Sequence, residues 1–170
     1  MQLTLTQCTI RPWRLDDAES LVRHANNRKI WIALRDNFPH PYGIDDAHTF
    51  LKAVTNSEPV TLFCVEVDGE AVGGIGIRIG ADVHRHTAEL GYWLSEEFWR
   101  RGIMTDAVVA FTDFCFETFQ LWRIYAEPFG NNPASARVLE KAGFSFEGRL
   151  KNNVLKNGQL LDSLLYARTK

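Results

Sequence analysis

The sequence predicts an α+β domain built around a mixed sheet, and three observations carry that prediction. Val60 to Leu94 reads as a three-stranded antiparallel meander. A strand–loop–helix–strand unit follows, and its two strands must run parallel because a helix crosses between them. The chain then closes on a hairpin around Asn157-Gly158, a pair suited to a tight turn with positive φ. The predicted order is β, α, α, β, β, β, α, β, α, β, β. All of residues 1–170 fall in one domain, since 170 residues suit a single core and no repeat, low-complexity tract or linker interrupts them.

Each element has a local reason. Cys8–Arg11 is a short strand stopped by Pro12. Asp16 or Asp17 caps a helix that carries Ala18, Leu21, Val22 and Ala25 on one face. A broken helical stretch covers Lys29–Arg35, and residues 37–43 form a loop because two prolines and a glycine break any element. Asp45 or Asp46 caps the next helix, with Ala47, Phe50, Leu51 and Val54 inward. The meander strands are Val60–Val67, Ala71–Ile79 and Ala88–Leu94, the first two joined by Asp68-Gly69. Gly73, Gly74 and Gly76 weaken the second strand unless another backbone or a ligand approaches closely. After the loop Ser95–Gly102 comes a helix over about Thr105–Phe119, apolar at Val108, Phe111, Phe114, Cys115 and Phe119. Arg123–Glu127 is the parallel strand. Asn132 caps the last helix, Pro133 takes its first position and Gly143 ends it. The final hairpin pairs Phe146–Leu155 with Gln159–Ala167.

Composition excludes several functions. The net charge of −2 offers no basic excess for nucleic acid or an anionic membrane. Charge shifts along the chain: residues 36–70 hold seven acids against Lys52, and residues 141–170 hold six bases against Glu147 and Asp162. The acidic stretch suits a cationic acceptor, and the plainer reading is two solvated faces. Three cysteines, odd in number and far apart, form neither a disulfide framework nor a metal site. No metal is expected at His84-Arg85-His86, which lacks a third ligand. The first ten residues lack the basic start of a signal peptide and no apolar run reaches 18 residues, so the expected compartment is the cytoplasm.

The loop before the long helix carries the first chemical signal. Residues 99–105, Trp-Arg-Arg-Gly-Ile-Met-Thr, lead directly into a helix whose N-terminus offers unpaired N–H groups and partial positive charge. Gly102 permits close approach of a phosphate, and Arg100 and Arg101 add forked donors. A pyrophosphate fits this set; so does a plain glycine turn between exposed arginines. No P-loop or dinucleotide-binding fingerprint is present, because Gly74-x-Gly76 lacks a third glycine and a following helix.

Asn132-x-x-Ser135-x-x-Val138-Leu139-Glu140-Lys141-x-Gly143-Phe144 resembles the signature of the GCN5-related N-acetyltransferases (GNAT). Ala88-Glu89-Leu90-Gly91-Tyr92-Trp93-Leu94 with Trp99-x-x-Gly102-x-x-Thr105-x-Ala107 resembles the branch that holds the bacterial ribosomal-protein N-terminal (alanine/serine) acetyltransferases. Ile10-Arg11-Pro12-Trp13 with Asp16-Asp17-Ala18 is similar to that branch's opening, so the resemblance spans nearly the whole chain. It implies a GNAT fold: a mostly antiparallel sheet of about seven strands with a splayed central parallel pair, flanked by about four helices. It also implies acetyl-CoA as co-substrate. The pyrophosphate would lie on the backbone of Arg100, Arg101, Gly102, Ile103, Met104 and Thr105, and the pantetheine arm along Tyr92, Trp93 and Leu94. Asn132 would bond the arm and Ser135 would face the sulfur. Trp31, Phe38 and Tyr42 fall in the region that shapes the acceptor site of relatives. Two positions depart from the family: Met104 replaces a usual Ala or Gly, and Leu139 replaces a Tyr that protonates the departing thiolate in many relatives. Ser135 is left as the proton donor.

Acyl transfer to an amine needs a base, donors for the oxyanion, a proton for the thiolate and close positioning. Glu89 and Glu127 flank the splay and are the candidate bases. The expected activity is acetyl-CoA-dependent N-acetylation of a primary amine by direct attack in a ternary complex, a protein N-terminal α-amine being one acceptor. The alternatives are a small-molecule amine (polyamine, amino acid or antibiotic) and a non-catalytic acetyl-CoA-binding module. No nucleic acid or membrane partner is expected, and a homodimer is compatible with the surface apolar residues.

Overall fold

The computed structural model describes residues 1–170. Eight strands form one mixed sheet, with five α-helices between them. The strands are β1 (Leu3–Thr4), β2 (Thr9–Pro12), β3 (Leu62–Val67), β4 (Glu70–Ile79), β5 (Thr87–Leu94), β6 (Arg123–Ala126), β7 (Ser145–Lys156) and β8 (Gln159–Thr169). Their order is β1-β2-β3-β4-β5-β6-β8-β7. The helices are α1 (Ala18–Ala25), α2 (Arg28–Trp31), α3 (Ile44–Thr55), α4 (Ile103–Thr118) and α5 (Pro133–Lys141). The expected fold is present, with two corrections of count. The sheet has eight strands rather than seven, because Leu3–Thr4 pairs antiparallel with β2 through Leu3↔Ile10 and Thr4↔Thr9. There are five α-helices rather than four, because the broken stretch after α1 contains the single turn α2.

The chain condenses into two compact units, Met1–Gly76 with Tyr92–Ile103, and Ile77–Gly91 with Met104–Lys170. In the first, α1 and α3 bury Ala18, Leu21, Ala25, Ala47, Leu51 and Val54 in a core shared with Trp13, Tyr42 and Cys64. Asp17 does not cap α1 with its side chain. It takes both arms of the buried Arg11 guanidinium at 2.8 and 2.7 Å and accepts the Arg14 N–H at 2.8 Å. A buried guanidinium is tolerable only when its donors are matched, and Glu66 takes the Nε–H. Asp46 reaches back to the Gly43 N–H at 2.8 Å, so α3 is capped from its third residue rather than from its cap position.

The glycine-rich strand is explained by close approach. A Cβ on Gly73 would stand 2.6 Å from the Trp93 carbonyl oxygen, and one on Gly74 would stand 2.7 Å from Trp93 Nε1. Strand β4 meets the end of β5 here, the Ser95 N–H donating to the Val72 carbonyl at 2.8 Å.

In the second unit β5 and β6 run parallel, with Thr87↔Arg123, Ala88↔Ile124 and Glu89↔Tyr125 as partners. Strand β6 pairs antiparallel with β8, and β8 with β7. Helix α4 buries Ala107, Val108, Phe111 and Cys115 completely. It begins at Ile103, two residues before the expected start, because the left-handed Gly102 (φ +83°) completes the turn ahead of it. Asn157 and Gly158, at φ 50° and 74°, form the expected hairpin turn. Strand β7 is the outer edge, and its ladder breaks between Phe146 and Gly148 and between Leu150 and Val154. In the second break Asn152 is left-handed (φ 51°) and donates its N–H to Asp162 at 3.0 Å.

Candidate active site

The last β5–β6 pair is Glu89↔Tyr125, yet β5 continues to Leu94. Past that pair β6 turns toward β8: the Leu164 N–H donates to the Pro128 carbonyl at 2.9 Å, and Phe129 bridges Ser163. The fork is therefore forced by where β6 finds its partners. Strands β5 and β6 thus part after this pair, where a splayed parallel pair is expected.

Beyond Leu94 the chain makes the 3₁₀ turn Glu96–Phe98 and enters residues 99–102. Trp99 donates its indole N–H to the Leu94 carbonyl at 2.7 Å, and Gln7 Nε2 donates to the Arg101 carbonyl at 3.0 Å. The Arg101 guanidinium lies over the Phe98 ring at 5.3 Å. Arg100 (φ 63°) and Gly102 (φ 83°) are both left-handed, and such alternation turns successive N–H groups toward a common point. A Cβ on Gly102 would meet nothing closer than Gln7 Nε2 at 3.9 Å, so the space beside it is open. Arg100 and Arg101 are exposed, whereas Ile103 and Met104 are buried. The Met104 side chain is thus covered by protein rather than presented at the surface of the loop. These features fit a pyrophosphate: open backbone, two exposed arginines and a helix start.

Helix α5 is positioned as the sequence indicates. Asn132 Oδ1 accepts the Ser135 N–H at 3.2 Å, which leaves the Asn132 amide nitrogen to donate elsewhere. Ser135 is half-buried. Leu139 has no exposed surface, so nothing at that position reaches a ligand. Glu89 is mostly buried, 3.6 Å from the Arg78 guanidinium. Glu127 follows β6 directly and is half-buried.

Aromatic residues of the first unit pack in two groups, one of them against Trp93 of β5. Phe38 packs on Tyr42 at 5.0 Å and on Trp93 at 5.8 Å, and Trp31 stacks on His40 at 5.6 Å. Tyr42 is buried, and burial together with Asp46 pushes its phenol up to about 12, so it stays protonated. Sequence reasoning missed one buried polar group here. His24 bonds both Ser95 and Glu70, contacts 71 and 46 residues distant that no local pattern signals.

No group of three or more His, Cys, Asp or Glu residues is arranged to hold a metal ion. No helix is long and apolar enough to cross a membrane.

The profile of the acetyltransferase (GNAT) domain family matches residues 7–145. The chain is 27% identical over 157 residues to the spermidine N(1)-acetyltransferase of Escherichia coli K12, covering 91% of this chain and 82% of that one. It is 32% identical over 107 residues to the ribosomal-protein-serine acetyltransferase of the same strain, covering 63% and 59%. Among solved structures, Mycobacterium smegmatis RimJ in complex with CoA-disulfide superposes with a TM-score of 0.83 at 28% identity, covering 95% of this chain and 81% of that one. A forked parallel pair, an open glycine loop at a helix start and a matching domain profile agree: the chain belongs to the GNAT family and is an acetyl-CoA-dependent N-acetyltransferase.

Proposed function

We propose that the acceptor is the α-amine of a protein N-terminus and that the acetyl group passes to it directly within a ternary complex. The observation that carries the reading is that the β5–β6 ladder ends at Glu89↔Tyr125 while β5 runs on to Leu94. A pantetheine arm laid along Tyr92, Trp93 and Leu94 would present its thioester at the fork. The backbone of Arg100 to Thr105 receives the pyrophosphate. Asn132 donates its amide N–H to the arm, because its oxygen is committed to Ser135. The amine nitrogen attacks the thioester carbonyl carbon, and a backbone N–H of the strand end stabilises the oxyanion. The C–S bond then breaks, and the sulfur takes a proton from the Ser135 hydroxyl, which regains one from water. The amine loses its proton to Glu127 or Glu89, directly or through water. Trp31 and Phe38 line the acceptor side, with Tyr42 as a neutral wall behind them. Likeness to the ribosomal-protein-serine acetyltransferase supports a protein acceptor.

A small polycationic amine is the second reading, favoured by the acidic segment 36–70 and by likeness to the spermidine enzyme. The test is acetyl-CoA-dependent release of free thiol across peptides beginning with Ala, Ser, Thr or Met, polyamines, amino acids and aminoglycosides. Turnover confined to peptides is the expected result. Turnover confined to small amines overturns the protein reading, and acetyl-CoA binding with no turnover supports a binding module instead.

A further inference from the structure

The His24 imidazole is buried, its side chain 4% exposed, between two partners. Its Nε2 lies 2.9 Å from Glu70 Oε2 and its Nδ1 lies 3.0 Å from Ser95 Oγ. A carboxylate only accepts, so Nε2 carries the hydrogen; whenever the ring holds no second proton, Nδ1 accepts the Ser95 hydroxyl proton. This Glu–His–Ser chain has the connectivity of a hydrolytic triad, but Ser95 is buried and its backbone is fixed by the Val72 carbonyl. It has no open face for a substrate, so nucleophilic work is ruled out.

What the chain does touch is the beginning of the loop. Ser95 is the first residue after β5 and its carbonyl accepts the Phe98 N–H at 3.0 Å, which closes the 3₁₀ turn. The ring of Phe98 meets the His24 ring edge-on at 5.9 Å. Just beyond α1, Asn27 Nδ2 donates to Glu96 Oε2 at 2.9 Å and Lys29 pairs with the same carboxylate. His24, Asn27 and Lys29 thus hold three positions of one turn, Ser95, Glu96 and Phe98, and two residues after the last comes Arg100. A backbone anion site depends on its N–H groups being fixed before the ligand arrives.

We propose that His24, through Ser95, is a positioning residue for the acetyl-CoA loop: it sets the path of residues 95–102 and so the affinity for the co-substrate, without touching it. The inference rests on the reading of Arg100 to Thr105 as the pyrophosphate site. Glu70 fixes the imidazole tautomer, and His24 spends its remaining nitrogen on the loop. The effect falls on acetyl-CoA binding and leaves the acyl-transfer step alone.

The experiment measures acetyl-CoA affinity by calorimetry and steady-state kinetics on the full chain, for wild type, Ser95→Ala, His24→Gln, His24→Asn, the Ser95→Ala/His24→Gln double variant and Gly102→Val. Loss of one buried hydrogen bond predicts that Ser95→Ala and His24→Gln each raise the acetyl-CoA Kd about tenfold. The double variant loses no more than either single one, because both remove the same link. In His24→Asn the amide stands where Nδ1 stood and restores the Ser95 bond, so its affinity lies within about twofold of wild type. In all of these kcat at saturating acetyl-CoA and the acceptor KM hold, whereas a merely structural role for His24 lowers Tm and leaves Asn no better than Gln. Ser95→Ala removes only a hydroxyl and serves if the His24 variants fold poorly. If Gly102→Val binds at least tenfold more weakly while Ser95→Ala and His24→Gln bind like wild type, the positioning role is overturned and the loop assignment stands. If Gly102→Val itself binds like wild type, the loop is not the pyrophosphate site and this inference falls with it.

Discussion

Gly73→Ala tests the strand geometry on which the co-substrate reading depends. The new Cβ would stand 2.6 Å from the Trp93 carbonyl oxygen, 3.1 Å from Leu94 Cδ1 and 3.3 Å from Leu94 Cα. Relief to the roughly 3.3 Å of an ordinary carbon–oxygen contact requires a shift of about 0.7 Å. The nearest atom is backbone, so no side-chain rotation supplies that shift. The end of β5 must move away from β4, straining the Ser95–Val72 hydrogen bond next to it. Overpacking of this kind costs about 1–3 kcal/mol. At about 2–4 °C per kcal/mol for a chain of this length, Tm falls by about 2–12 °C. Differential scanning calorimetry reads the change, with Gly148→Ala as control because a Cβ there meets nothing within 4 Å. The moved carbonyl belongs to the stretch assigned to the pantetheine arm, so acetyl-CoA affinity should fall as well. A Gly73→Ala protein that melts within about 1 °C of wild type would show that the β4–β5 approach is not as tight as described.

Four other outcomes are expected. Asp17→Asn removes the matched charge from buried Arg11 and should cost about 3 kcal/mol in urea unfolding, where an exposed pair would cost under 1. Ser135→Ala should lower kcat about tenfold and leave acetyl-CoA affinity within about twofold, since the hydroxyl acts on the departing sulfur; if Glu127→Gln and Glu89→Gln both keep the wild-type pH–rate profile, neither carboxylate is the base. The hydrogen bond from Arg123 holds the Glu147 carboxyl below its ordinary value of 4.5, so the pair stabilises the fold at neutral pH and is lost as pH falls through that lower folded value; wild type should lose more urea resistance than Glu147→Gln between neutral and strongly acidic pH. Burial pushes the Cys64 and Cys115 thiols up, and Cys8 is buried too. A thiol reagent should therefore label the native protein slowly and the urea-unfolded protein at three sites.

Much of this arrangement is legible in the sequence because local chemistry determines it. Asn132-Pro133 with Gly143 nine residues after Ala134 can do little except cap, start and stop a helix, and α5 occupies that interval. The three glycines of β4 are legible as a close approach, although only the structure shows that Trp93 approaches Gly73 and Gly74 while Leu62 and Thr61 approach Gly76. Long-range partners are not legible. Asp17 has the right identity and place to cap α1, but Arg11 is buried beside it and a matched guanidinium outweighs a cap. β1 escapes notice because two residues carry no periodicity. His24 lies on the buried face of α1 like any core residue of that stripe, and its role depends on Ser95 and Glu70 arriving from strands far along the chain.

The broken ladder of β7 has a consequence for behaviour in concentrated solution. An outer strand of 12 residues would ordinarily offer a row of free N–H and carbonyl groups to a strand from another molecule. Here the row is interrupted midway: Lys151 to Asn153 bulge outward, and the N–H that an incoming strand would need at Asn152 is already given to Asp162. Arg149, paired with Asp162, places a charge beside the gap. Sheet growth by edge addition is interrupted at this point, which shortens the regular edge beside the exposed leucines of the hairpin, Leu155 and Leu160.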